Sequence, residues 1–99
     1  MTAEEREAFY DREIAPELAK IAQRCKENGL SFLAVVEWEP GEHGRTFYPV
    51  DGYGLGIRIA NMGAQANGNV DSLIFGLMNY GREHGHRSAC LGQLGVPAQ

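Results

Sequence analysis

Apolar positions follow a helical period at the start of the chain. Ile14, Leu18, Ile21 and Cys25 recur at steps of four, three and four, on one helical face. Thr2 and Glu5, three apart, form a capping box ahead of this stripe. Asn28-Gly29 supplies a stop, because glycine tolerates the left-handed backbone there. Pro16 interrupts the pattern, since it lacks an amide donor and its ring crowds the carbonyl of Arg12. Either one kinked helix runs through it, or one helix ends near Arg12 and another begins near Pro16. The continuous helix is preferred.

The period then shortens to two. In "SFLAVVEWEP" (31–40), Phe32, Ala34, Val36 and Trp38 fall on one face and Leu33, Val35, Glu37 and Glu39 on the other. This is a strand whose second half turns an acidic face outward. "PGEHGR" (40–45) reads as a turn, and "TFYPV" (46–50) as a returning strand. Pro49 cannot donate to a ladder, so that strand belongs at an edge. A lone hairpin is marginal and must lie against helices or against another copy.

A helical period resumes in "DGYGLGIRIANMGAQANG" (51–68) with Leu55, Ile59, Met62 and Ala66. Gly56, Ala60 and Ala64 line a side with almost no side chain, which lets another helix approach closely. The last helix is the sharpest. Asn69 caps it, Asp71 suits the positive end of its dipole, and Gly85 ends it. Val70, Leu73, Ile74, Leu77, Met78 and Gly81 form its apolar stripe. "SACLGQLGVPAQ" is weakly patterned, with Leu91 and Leu94 free to tuck onto the core. The expected fold is α+β: a long N-terminal helix, a β-hairpin and two C-terminal helices in a single compact domain spanning 1–99. Residues 1–6 and 96–99 are expected to fray.

Composition narrows the class. Of 99 residues, 43% are hydrophobic and 22% charged, as in a globular rather than a disordered chain. Cys25 and Cys90 are too few for a disulfide framework. The segment before Phe9 and Tyr10 is acidic, unlike a signal peptide, and no apolar run approaches a membrane span. A cytoplasmic protein with free thiols is expected. The net charge of −4 is unevenly spread. Residues 1–51 hold eleven acidic and six basic side chains, and residues 52–99 hold two and three. No basic stripe is present to pair with nucleic-acid phosphates. An acidic half favours a basic protein partner.

Four groups of residues could carry chemistry or binding. His84, His86 and Cys90 are soft ligands near a helix end, but a structural zinc site needs a fourth ligand and no pair supplies it. The cluster reads as helix termination, its polar side chains facing the last carbonyls. "GYGLGIR" (52–58) offers Gly52, Gly54, Gly56 and Arg58 as a phosphate-cradling loop. Ile57 stands where the dinucleotide fingerprint needs glycine, however, and Gly-Lys-Ser/Thr is absent. Enzyme chemistry is poorly supported. Ser31, Ser72 and Ser88 lie in no nucleophile elbow, and Cys25 sits on an apolar stripe. Glu37 and Glu39 could share a cleft, though such a face is more often solvated. No cofactor is expected. The fourth group is the acidic hairpin face Glu37, Glu39 and Glu42 with Trp38, joined by Phe75 and Arg82 on the last helix. Phe75 lies off its stripe, and exposed aromatics with arginine are common interface anchors.

"REIAPELAKIAQRC", "LSFLAVVEWEPGE", "GNVDSLIFGLMNYGREHGH" and "LGQLG" together resemble small accessory proteins of tailed bacteriophages and prophages of proteobacteria. The resemblance covers about residues 7–95 and carries no family active site. It implies a bacterial host cytoplasm and a non-enzymatic protein that binds a host protein, for example to inhibit a defence or regulatory protein. The alternative is a small-ligand, nucleotide-like binder using residues 52–58. Self-association through the hairpin edge or the helix faces is a further expectation.

Overall fold

In the computed structural model, which describes residues 1–98, the chain is α+β. Helix α1 (Ala3–Phe9) leads through one π-helical stretch (Tyr10–Ile14) into α2 (Ala15–Glu27). Strands β1 (Phe32–Glu39) and β2 (Glu42–Tyr48) form an antiparallel hairpin, followed by α3 (Leu55–Ala66), α4 (Val70–His84) and α5 (Ala89–Gln93).

The expected capping box is present. Thr2 Oγ1 accepts from the Glu5 amide at 3.1 Å, and Glu5 Oε1 accepts from the Thr2 amide at 3.0 Å. Pro16 is absorbed without a break. It occupies the first turn of α2, and the Ala15 amide reaches back five residues to the Tyr10 carbonyl. The wide turn takes up the register that the missing donor would have held. It also rotates the stripe that follows. Ala22 is fully buried, Leu18 and Cys25 are half-buried, and Ile21 is 44% exposed rather than part of the packed face. Cys25 is accordingly less sheltered than its place on an apolar stripe suggests.

The hairpin turn is tighter than the sequence suggests. Pro40 and Gly41 alone form it, with Gly41 at φ +85°, so β2 begins at Glu42 and ends before Pro49. The long helix lies along the hairpin. Near the tip the Arg6 guanidinium donates to the Trp38 carbonyl at 2.7 Å. The outer edge of the buried Tyr10 ring sits on the β2 backbone at Gly44, where a β-carbon would collide with the ring's hydroxyl-bearing edge. Its other neighbour is Trp38, 5.4 Å away between ring centroids. At the open end the Val50 amide donates to Ser31 Oγ at 3.0 Å.

Helix α3 returns alongside the hairpin. Arg45 donates to Asn61, and Asn67 closes the helix in the left-handed conformation at φ +48°. The Asn67 amide nitrogen donates to the Gly41 carbonyl at 2.8 Å, which turns its oxygen toward His43 Nδ1 at 3.2 Å. Helix α4 packs on α3 and carries a second, separate cluster. There Gly81 is buried against His86, Val96 and Leu91. Three helices rather than two therefore follow the hairpin. Ser88 caps the third, its hydroxyl accepting from the Leu91 amide at 3.1 Å. Nor does the tail fray from residue 96, since Val96 is 1% exposed. Gln99 lies outside the described residues.

The outline is a slab of 47 × 34 × 14 Å. Among the described residues, only Tyr10, Ala22 and Val96 form the fully buried apolar core. The radius of gyration is 16.4 Å, against roughly 13 Å for an ordinary domain of this length.

Candidate functional site

Two of the concave sites gather residues that could bind a partner. The first is an acidic notch of about 250 Å³ at the hairpin tip, lined by Ala3, Glu4, Glu7, Trp38, Glu39 and Glu42. Glu4 and Glu7 are one turn apart on α1, so both face the same way. Arg6 fixes that helix to the strand end, its guanidinium also reaching the Met1 carbonyl at 2.8 Å. Trp38 enters the notch through a β-bulge. The register pairs Glu37 with His43 and Glu39 with Glu42, leaving Trp38 as the extra residue. Bulges re-aim a side chain in this way. Here the indole is held against Tyr10 while still lining the notch.

The notch is electrostatically unbalanced. Glu39 and Glu42 stand directly opposite across the turn, and like charges in that position are unfavourable. The ion pairs among the described residues are Arg12–Glu13, Lys20–Glu17 and His84–Glu83, and none involves a notch carboxylate. Four carboxylates therefore line the same notch as one indole without a salt bridge among the described residues, the nearby Arg6 guanidinium being bonded to the Trp38 and Met1 carbonyls. Such an arrangement attracts a cationic group, and the aromatic face adds a cation–π contact.

The second site is an apolar groove of about 670 Å³. Leu55 and Ile59 of α3, Ile74 and Leu77 of α4, and Leu91 and Leu94 at α5 line it. Tyr80, His86 and Cys90 also line it. His86 ties the tail in place. Its Nδ1 accepts from the Ser88 amide at 3.0 Å and its Nε2 donates to the Val96 carbonyl at 2.8 Å. An amide can only donate and a carbonyl only accept, so these partners fix the neutral ring with the proton on Nε2.

The residues singled out from sequence are dispersed. Trp38, Glu39 and Glu42 meet in the notch. Glu37 is exposed and does not line it, and Phe75 and Arg82 lie on α4, outside it. Phe75 is 59% exposed, and the Arg82 guanidinium is engaged with the Asn79 side chain at 3.0 Å. Gly52, Gly54 and Gly56 have open space where a β-carbon would stand, so no cradle closes over them. The Arg58 guanidinium lies between the Tyr53 and Tyr80 rings, 4.3 and 5.2 Å from their centroids. His84 stacks on Tyr80, His86 has both nitrogens engaged, and Cys90 is exposed in the groove. Among the described residues, no group of three or more His, Cys, Asp or Glu side chains is arranged to hold a metal ion.

Sequence reasoning missed Glu4 and Glu7. Their i, i+3 spacing shows that they share a face, but only the packing of α1 across the end of β1 brings them to Trp38. No family model, curated protein or solved structure matches this chain. No helix among the described residues is long and apolar enough to cross a membrane.

Proposed function

We propose that the chain is a non-catalytic interaction protein whose acidic notch receives a lysine- or arginine-rich segment of a partner protein. The observation carrying this reading is the convergence of Glu4, Glu7, Glu39 and Glu42 around Trp38, with no ion pair from the chain. The like-charged Glu39–Glu42 pair supports it further, because a bound cation relieves a repulsion that the fold otherwise carries. The phage-like character of the sequence suggests the setting. The partner is a host protein in a bacterial cytoplasm, and occupying its basic surface inhibits it by steric and charge blocking.

Trp38 is the only tryptophan, so its fluorescence reports on the notch directly. Titration of the full chain with an oligo-arginine peptide tests the reading. The expected result is a saturable change that weakens as salt rises and disappears when Glu39→Lys and Glu42→Lys are combined. A flat titration, or one that the double substitution leaves unchanged, refutes the assignment.

A further inference from the structure

The groove between α3, α4 and α5 lies outside the acidic notch, and its surroundings identify what covers it. A monomer of 10.9 kDa ordinarily exposes roughly 5,600 Å². This chain exposes 6767 Å², an excess of roughly 1,200 Å². Obligate homodimers bury about 2,000 Å² or more in total, or about 1,000 Å² from each copy. The excess is therefore of the size that one such interface removes.

Among the described residues, three of the eleven exposed large apolar side chains gather at the groove, and the distribution of charge favours the same side. Leu55 is 46% exposed, Ile59 40% and Leu94 51%, all on the groove. Beside them, Gly56 and Gly63 have nothing within 4 Å of where a β-carbon would stand. No helix of the same chain covers this bare side of α3. The hairpin half repels its own copy, since residues 1–51 carry eleven acidic against six basic side chains. Residues 52–99 carry two against three and meet a copy of themselves without that cost. A twofold contact requires one self-complementary patch. The groove lining that includes Leu55, Ile59 and Leu94 offers such a patch to a second copy of itself.

We infer that a second copy of this chain covers the groove, in a twofold dimer built on α3 and α5. The dimer leaves the acidic notch, on the hairpin, free on each copy. Sedimentation equilibrium of the full chain over a wide concentration range tests this. The expected mass is twice 10.9 kDa. Ile59→Glu and Leu94→Glu are each expected to return it to one chain while the circular dichroism stays that of the parent. Val35→Glu, on the hairpin at 46% exposure, is expected to leave the dimer intact. Hydrogen exchange of the unsubstituted chain supplies a readout that needs no variant. Where dilution lowers the mass toward one chain, amides of α3 and α5 should lose protection while those of β1 and β2 do not. A single-chain mass at every concentration overturns the inference, and so does dissociation by Val35→Glu but not by the groove variants. Protection of α3 and α5 that does not change while the mass falls to one chain also overturns it. A single-chain mass with an apolar dye seated in the groove would assign it to a small ligand instead.

Discussion

Replacing Gly44 by alanine adds one methyl group at a point the Tyr10 ring already occupies. The hairpin backbone is pinned on both sides there, because Gly44 pairs with Val36 and the neighbouring Arg45 is bonded to Asn61. Relief must come from Tyr10, which is 7% exposed and stacked on Trp38. A partial shift of the ring costs about 1–3 kcal/mol, as overpacking commonly does. Full ejection sets the upper limit. An aromatic ring burying about 150–250 Å² loses about 4–6 kcal/mol on the extended-chain reference. Against this, Gly44 has no positive φ, so alanine at an unobstructed site would gain about 0.5–1 kcal/mol from the less flexible unfolded chain. The net expectation for Gly44→Ala, with the ring partly shifted, is a loss of up to about 2.5 kcal/mol. Urea denaturation followed by Trp38 fluorescence, at one fixed protein concentration, measures it. The decisive comparison is the same substitution in a Tyr10→Leu background. Leucine lacks the outer ring atoms that the methyl group would meet, so Gly44→Ala should there become neutral or stabilising. Additive behaviour of the two substitutions would refute the steric reading.

Two further predictions concern the ends of the chain. Hydrogen bonds from the Thr2 amide and then the Thr2 hydroxyl hold the Glu5 carboxyl below its ordinary range. A carboxyl group whose value is depressed on folding stabilises the structure above its unfolded value and loses that contribution as pH falls through the folded one. The helical chemical shifts of residues 3–6 should therefore decay on acidification, and Glu5→Gln, which removes the titrating group, should abolish that pH dependence; a first turn indifferent to both would contradict the capping box. At the other end, His86→Phe strips partners from the Ser88 amide and the Val96 carbonyl, at a cost of about 1–3 kcal/mol. Trypsin should then cut after Arg87 much faster than in the parent, whereas unchanged protection would show that the histidine does not hold the tail.

Local signals carried much of this architecture. The Thr2–Glu5 box, the Asn28-Gly29 stop, the Asn69 cap and the Gly85 terminator each act within one turn of chain, so element type and helix ends were legible in the sequence. The α+β class followed from the change of period at Phe32. Three features were not legible because they depend on partners distant in sequence. Trp38 lies in a bulge set by the pairing of Glu37 with His43 and Glu39 with Glu42, which alternation alone does not reveal. The π-helical stretch before Pro16 moved Ile21 off the packed face and Ala22 onto it. The glycines of 52–56 read as a loop for phosphate, yet Arg58 is taken up by Tyr53 and Tyr80.

The candidate site divides the same way. Its chemistry was in the sequence: an acidic first half, Trp38, Glu39 and Glu42, and a nearly neutral helical second half. Its geometry was not. Glu4 and Glu7 join Trp38 only because Arg6 ties α1 across the strand end. Phe75 and Arg82 are separated from it because α4 packs on α3. Helical and strand periods state which side of an element is apolar, since that depends on rotation per residue alone. What covers that side depends on contacts between segments tens of residues apart, and in this slab-shaped chain Leu55 and Ile59 remain 46% and 40% exposed.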